Sequence, residues 1–312
     1  MSGAAKDTKA SVAAVVVTHD PDIDALVRTL LETSRQVSRI VVVDNASKSQ
    51  LNLQQALETL PDVAFVGLDE NHGIASALNH GVRELTVRGY DYSWLLTLDQ
   101  DTSLHPRAIC IVLSSLDLID VRTRQECGIV GLRYEAVELP RGFTRWTEPS
   151  RHVHALGHGL REKRLLITSG NLVRRQVAEA IQYEESFFMD QVDHAFCASV
   201  RSHGWRVLEY DTVLMNHQIG KPVEVRGMLR QYEPGQRLYY IVRNSTSLLL
   251  HRQLPARFYI VQLLSWSGAY ALVNGLLAIP RELMIVLAGL WDGILGRLGQ
   301  RQYRFLAEPR AR

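Results

Sequence analysis

The stretch Trp94-Leu95-Leu96-Thr97-Leu98-Asp99-Gln100-Asp101-Thr102 is an apolar run that stops abruptly on two carboxylates. A short apolar run bounded by polar residues reads as a buried strand, and others like it precede it. Val12 to Val17 ends in Thr18-His19-Asp20-Pro21 and is followed by a helical pattern through Leu26, Leu30 and Leu31. Ile40 to Val43 ends at Asp44-Asn45, and Val63 to Val66 leads to a helical pattern from about Gly73 to Arg88. Strands that alternate with helices imply parallel βαβ units. The expected fold class is therefore α/β, a Rossmann-like, mostly parallel sheet flanked by helices. Ligands of such sheets gather beyond the carboxyl ends of the strands, and His19, Asp44 and Asp99 all fall at those ends.

From about Arg133 to His158 the pattern is broken by Pro140, Gly142, Pro149 and Gly157. That predicts a long loop beside a site, or a plain surface excursion. Leu165 to Thr168 resumes as a strand before Ser169-Gly170-Asn171, a helix is expected from Asp190 to His203, and short strands are expected around Val207 and from Val213 to Met215. Beyond Gly220 the pattern turns mainly helical, first around Tyr232 to Leu250 and then through an uncharged run of 22 residues from Phe258 to Ile279. Such a run can cross about 30 Å of hydrocarbon as a helix. Gln262, Ser265, Ser267 and Asn274 interrupt it, however, and Leu283 to Leu298 is bounded by Arg281, Glu282, Asp292 and Arg297. Helices lying on a membrane surface are expected, with a true span or ordinary buried helices as alternatives. The chain divides on this pattern into residues 1–220 and a helical extension, residues 221–312.

The 312 residues are 46% hydrophobic, enough for a substantial core, and 35 Lys and Arg against 33 Asp and Glu leave a net charge of +2. So even a balance gives a nucleic-acid partner no support. Local charge differs: after Leu295, Arg297, Arg301, Arg304, Arg310 and Arg312 face only Glu308, which suits anionic lipid or simple solubility. Cys110, Cys127 and Cys197 lack metal-ligand spacing and are odd in number, which fits a reducing cytoplasm. Lys6, Asp7 and Lys9 precede an apolar run too short for a signal peptide, so secretion is not expected. Neither GxGxxG nor GxxxxGK[ST] occurs near the first turn, which removes the main support for a dinucleotide enzyme or a P-loop ATPase.

Two carboxylates one residue apart face opposite sides of an ideal strand, but on a turn after the strand both can converge on a hard cation. Asp99 and Asp101 are thus candidate ligands for Mg²⁺ or Mn²⁺, which would leave positions for phosphate oxygens. Turn or N-cap residues are the plainer explanation of such a pair. Pro106 can start a helix near this loop. Asp44 and Asn45 offer acceptors and a donor that match the polar edge of a pyrimidine, or simply a β-turn. Asn71-His72-Gly73-Ile74-Ala75 precedes a helix whose free N–H groups could face a diphosphate or sugar, unless they only cap it.

Val15-Val16-Val17-Thr18-His19-Asp20-Pro21, Val41-Val42-Val43-Asp44-Asn45, Glu70 to Asn79, Leu98-Asp99-Gln100-Asp101, Ser169-Gly170-Asn171 and Phe187-Phe188-Met189-Asp190-Gln191-Val192-Asp193 stand in one order along residues 12 to 220. Together they resemble the family 2 glycosyltransferases, and among them the bacterial rhamnosyltransferases of cell-surface polysaccharides. The resemblance implies a GT-A fold for residues 1–220 as a nucleotide-sugar-binding and catalytic unit. It implies donor contacts from Thr18, His19, Asp44, Asn71, Gly73, Asp99 and Gln100, with Asp44 at the base. Asp99 and Asp101 would hold the metal, with His217 as a third ligand. Asp193 would be the catalytic base, on a helical face shared with Asp190 near the acceptor. Where the family commonly has an acid two positions after the base, this chain has Ala195. Arg237-Leu238-Tyr239-Tyr240-Ile241-Val242-Arg243-Asn244 resembles a block of the same branch, and Arg243 could hold a phosphate or merely pack.

The expected reaction is one-step inverting transfer of L-rhamnose from dTDP-L-rhamnose to a growing, lipid-linked glycan. It would take place at the inner face of the bacterial membrane, which the C-terminal helices would contact. The alternatives are transfer of galactofuranose or a hexose from a UDP donor, and a non-catalytic nucleotide-sugar-binding subunit of a polysaccharide assembly. Oligomeric state is not readable from the sequence.

Overall fold

A computed structural model describes residues 11–134, 155–217, 221–225, 228–232 and 235–306. The predicted loop between Arg133 and His158, the N-terminal ten residues and the basic residues Arg310 and Arg312 lie largely or wholly outside the described residues. Strands β1 (Val12–Thr18), β2 (Arg39–Asp44), β3 (Val63–Gly67) and β4 (Trp94–Asp99) pair in parallel in the order β3-β2-β1-β4. Residues of a strand alternate between faces, and both faces here are covered. Ala13, Val15 and Val17 enter one core with α3 (Ile74–Val87), while Val12, Ala14 and Val16 enter a second with α1 (Ile23–Ser34) and α2 (Gln50–Leu57). Burial on both sides explains why these strands read as continuous apolar runs.

The second half of the sheet is mixed. It continues through β9 (Asn171–Arg174), β6 (Cys127–Tyr134), β10 (Arg206–Asn216), β8 (Leu160–Glu162) and β7 (Ala155–Gly157), and β9 runs antiparallel to both β4 and β6. The two-residue β5 (Ser103–Leu104) pairs with the end of β10. Several sequence expectations shift here. Leu165 to Thr168 is not a strand; the strand begins at Asn171, because Thr97 Oγ1 donates to the Thr168 carbonyl and Gly170 N–H to the Thr97 carbonyl, turning the chain first. The separate short strands around Val207 and Val213 are one strand with register shifts. Pro106 does not open α4 (Ala108–Leu118), whose N-cap is Arg107 in the left-handed region. After α5 (Val121–Glu126) and α6 (Arg175–Ala180), α7 (Val192–Ser202) packs on the same face as α3.

Beyond Gly220 a hairpin of β11 (Lys221–Val225) and β12 (Met228–Tyr232) precedes the helices, so the helix expected from Tyr232 starts at Gly235. Three helices follow: α8 (Gly235–Leu250), α9 (Ala256–Asn274) and α10 (Ile279–Ile294). Leu248, Leu254 and Phe258 join the core that contains α3 and α7, and Leu238, Tyr239, Tyr240 and Ile285 form a third core with Phe188. The uncharged run from Phe258 is broken at Gly275, where φ is +77°, and no helix of the described residues is long and apolar enough to cross a membrane.

Candidate active site

Thr18 lies level with Asp44, and Val17 with Asp99, so β1, β2 and β4 end at nearly one height. After Asp99 the chain turns through Gln100 and Asp101, and the Thr102 N–H donates to the Asp99 carbonyl at 3.2 Å. The antiparallel bridge of Ser103 with Asn216, and of Leu104 with Met215, delivers His217 to this turn. His217 Nε2 lies 3.6 Å from an Asp99 oxygen and Nδ1 lies 3.5 Å from an Asp101 oxygen. One ligand atom from each of Asp99, Asp101 and His217 lies within 4.8 Å of the others.

Beneath them Thr102 Oγ1 contacts His217 Nδ1 at 2.8 Å and Ser169 Oγ at 2.7 Å, and Ser169 Oγ accepts from the Asp99 N–H at 3.0 Å. Sequence reasoning did not select Thr102 and Ser169; only their position beside the acid pair and in the Ser-Gly-Asn block hinted at them. The Asp99 side chain keeps 31% exposure, yet burial pushes its pKa up to about 6. His217 and Arg237 oppose that push, while the charges of Asp101 and Asp193 add to it. Burial alone would lower the His217 pKa, but the hydrogen bond to Asp101 and the charges of Asp99 and Asp101 leave it raised. A cation bound here would relieve these strained negative charges, and the oxygen-rich donor set suits Mg²⁺ or Mn²⁺.

The remaining strand ends are joined by polar contacts. Asp44 is fully buried, and its two oxygens accept from Thr18 Oγ1 at 2.9 Å, Ser47 N–H at 2.9 Å, Ser47 Oγ at 2.5 Å and Gln50 Nε2 at 3.0 Å. The His19 N–H donates to Gln100 Oε1 at 2.8 Å, tying the loop after β1 to the acid turn. Asn45 Nδ2 donates to Asn71 Oδ1 at 2.9 Å, and Asn45 Oδ1 accepts from the His72 N–H at 3.0 Å. Gly73 adopts φ +85°, and a β-carbon there would collide with the Phe188 carbonyl oxygen. The helix start was expected to present free N–H groups. The N–H groups of His72 and Gly73, just before the helix, are bonded to the Asn45 and Asn71 side chains, and that of Ile74, its first residue, to the Phe188 carbonyl of the 187–191 loop.

Asp193 stands in the first turn of α7, where Oδ1 accepts from the His194 N–H at 2.8 Å. The helix expected from Asp190 begins two residues later, since Asp190 and Gln191 have φ of 58° and 62°. Asp190 and Asp193 therefore share no helical face. Asp190 is gripped by Arg237 through Nη2 at 2.6 Å and Nε at 3.3 Å. Arg243 is 0% exposed. Its Nη1 donates to the Gly299 carbonyl at 2.5 Å, its Nη2 to the Phe187 carbonyl at 3.0 Å and its Nε to Asn244 Oδ1 at 2.8 Å, with the Tyr240 ring 4.6 Å away. These contacts give Arg243 the packing role and leave it no face toward a phosphate. The cation whose charge reaches Asp99 is Arg237, on the same helix.

Residues 11–182, more than half of the chain, match the family described as Glycosyl transferase family 2. The dTDP-rhamnosyl transferase RfbF of Shigella flexneri is 27% identical over 259 residues, covering 78% of this chain and 82% of that protein. Among solved structures, S. aureus TarS superposes with a TM-score of 0.55 at 13% identity over 92% of this chain, which spans half of TarS. Glucosyl-3-phosphoglycerate synthase from Mycobacterium tuberculosis superposes with a TM-score of 0.50 at 12% identity, covering 81% of this chain and 83% of that one. The fold is the GT-A fold, a mixed sheet flanked by helices, with C-terminal helices added.

Proposed function

The chain belongs to glycosyl transferase family 2, and from that premise we propose that it is an inverting, cation-assisted glycosyltransferase. In this reading it moves L-rhamnose from dTDP-L-rhamnose to a growing, lipid-linked cell-surface glycan. The observation that carries the proposal is the convergence of ligand atoms from Asp99, Asp101 and His217 within 4.8 Å, with the charge of Asp193 reaching Asp99. The 27% identity to a dTDP-rhamnosyl transferase supports the choice of donor, as do Leu98-Asp99-Gln100-Asp101 and Phe188-Met189-Asp190-Gln191-Val192-Asp193.

Asp99, Asp101 and His217 would hold Mg²⁺ or Mn²⁺, which when bound supplies positive charge against the leaving diphosphate. The donor lies along the network from Thr18 and His19 through Asp44 and Asn71 to Gly73 and Gln100, within which Asp44 stiffens the base end through Thr18, Ser47 and Gln50. Asp193 accepts the acceptor's hydroxyl proton as that oxygen attacks the anomeric carbon. A new carbon–oxygen bond forms while the bond to the diphosphate oxygen breaks with its electron pair, and the configuration inverts once. Asp193→Asn keeps the fold and the donor site but has no carboxylate to take the proton. Transfer followed by product mass should fall by roughly 100-fold or more, with donor affinity by calorimetry unchanged; near-normal turnover removes the base assignment. A panel of dTDP- and UDP-sugars with and without Mn²⁺ decides the donor, and faster turnover of UDP-galactofuranose or a UDP-hexose would overturn rhamnose.

Residues 221–312 are proposed to seat the enzyme on the inner face of the cell membrane. Support comes from the exposed apolar residues Leu264, Leu283, Leu287 and Trp291, and from Leu277, which is 97% exposed.

A further inference from the structure

The loop that leads into Asp193 is held in a conformation that its own residues disfavour. Phe188, Asp190 and Gln191 carry φ of 63°, 58° and 62°, the left-handed region that L residues with side chains rarely enter. Such a segment persists only where its surroundings over-determine it, and here each carbonyl from 187 to 190 is engaged. The Phe188 carbonyl accepts from the Ile74 N–H at 3.1 Å. The other three converge on one side chain: Asn244 Nδ2 lies 3.1 Å from the Phe187 oxygen, 2.8 Å from the Met189 oxygen and 2.9 Å from the Asp190 oxygen.

An amide NH₂ has two protons, so three carbonyls share them, and the arrangement needs the amide to face one way. Arg243 sets that direction, because its Nε donates to Asn244 Oδ1 at 2.8 Å while its Nη2 reaches the Phe187 carbonyl. Both side chains are fully buried, and both lie on α8, outside residues 11–182. The same loop presents Asp190 to Arg237, and its last residue, Gln191, is the N-cap of α7.

We infer that Asn244, oriented by Arg243, is a positioning residue for the transfer step: it sets the 187–191 loop and so the placement of Asp193 against the acceptor. The inference rests on Asp193 being the base of a glycosyltransferase. It makes α8 part of the catalytic apparatus.

The test uses the full-length protein carrying Asn244→Asp, which keeps the shape and an oxygen for Arg243 but, ionised beside that guanidinium, has no proton to donate. Ser245→Ala is the control for general loosening, since Ser245 lies beside Asn244 on α8 and the substitution deletes a buried hydrogen bond from its Oγ to Gln262 Oε1 of α9. Asn244→Asp should lower kcat at least tenfold, with the donor KM and Mn²⁺ affinity unchanged. Amide hydrogen exchange across 187–191 should quicken by a similar factor. Ser245→Ala should keep kcat within twofold. Asn244→Ser, whose hydroxyl can serve one carbonyl, should recover part of kcat and covers the case in which the aspartate variant does not fold. The inference is overturned if Asn244→Asp or Asn244→Ser turns over like the native chain. It is equally overturned if loop exchange quickens without loss of kcat, or if kcat merely tracks melting temperature across the three variants. Failure of the native chain to transfer any sugar would instead remove the transferase reading and this inference with it, while the exchange data would still report on the grip of Asn244.

Discussion

At Asp99 burial and the like charges of Asp101 and Asp193 all work against ionisation, with His217 and Arg237 opposing them. A proton and a cation therefore compete for the same carboxylate. With the pKa up at about 6, Asp99 is ionised at pH 7 and protonated at pH 5. Mn²⁺ affinity should accordingly rise with pH through the range in which Asp99 and then His217, whose pKa is also raised, lose their protons, by up to about tenfold per pH unit for each group, as followed by electron paramagnetic resonance titration. His217→Ala removes the imidazole and should weaken Mn²⁺ by at least about tenfold at pH 7.5. Unchanged binding would restrict the imidazole to its contact with Thr102. The acid pair was legible in the sequence because its chemistry is local to one short turn, whereas Asp193 was singled out only through the family resemblance. Arg243 was singled out and Arg237 was not, because which guanidinium faces the acids depends on how α8 rolls against Tyr240 and the 187–191 loop. Thr102 and Ser169 escaped for a similar reason, since a hydroxyl becomes significant only when the strands place it under a carboxylate.

The junction of α3 with the 187–191 loop is an element-scale constraint. Gly73 is held at φ +85° with the Phe188 carbonyl occupying the place of a β-carbon, so Gly73→Ala must push the loop off the helix start. Thermal unfolding should register a loss of more than about 2 kcal/mol, and transfer should fall with it. An alanine variant as stable and active as the native chain would show that the junction yields freely. The first four strands were readable because both of their faces are buried and turn residues follow each one. The second half was less so, and for identifiable reasons. β6 and β10 follow no simple alternation that announced their full length, and Leu165 to Thr168 is apolar because Leu166 packs into the core, not because it pairs. The start of α7 moved to Val192 because backbone contacts from Asn244, far along the chain, override the helical pattern at Asp190 and Gln191.

On the scale of the whole molecule, α10 has two unlike sides. Ile285, Gly289, Asp292 and Gly293 face inward, and a β-carbon at Gly293 would lie 2.6 Å from the Arg243 carbonyl, so the small residue is what lets α10 close on the helix that holds the 187–191 loop. Leu283, Leu287, Trp291 and Ile294 are left exposed at helical spacing, and the exposed cations Arg297 and Arg304 follow. An apolar stripe flanked by positive charge fits an anionic bilayer surface, where apolar burial and charge attraction act together. The protein should co-float with vesicles containing an anionic phospholipid and less with neutral ones. Leu287→Glu with Trp291→Glu should abolish flotation while leaving transfer to a water-soluble acceptor intact, since neither side chain enters the site. Raised salt should weaken flotation only in part, because the apolar contribution is not screened. Equal flotation of native and doubly substituted protein would refute the membrane role of this face, and a concentration-dependent dimer lost in the same variant would assign the stripe to a second copy of the chain instead.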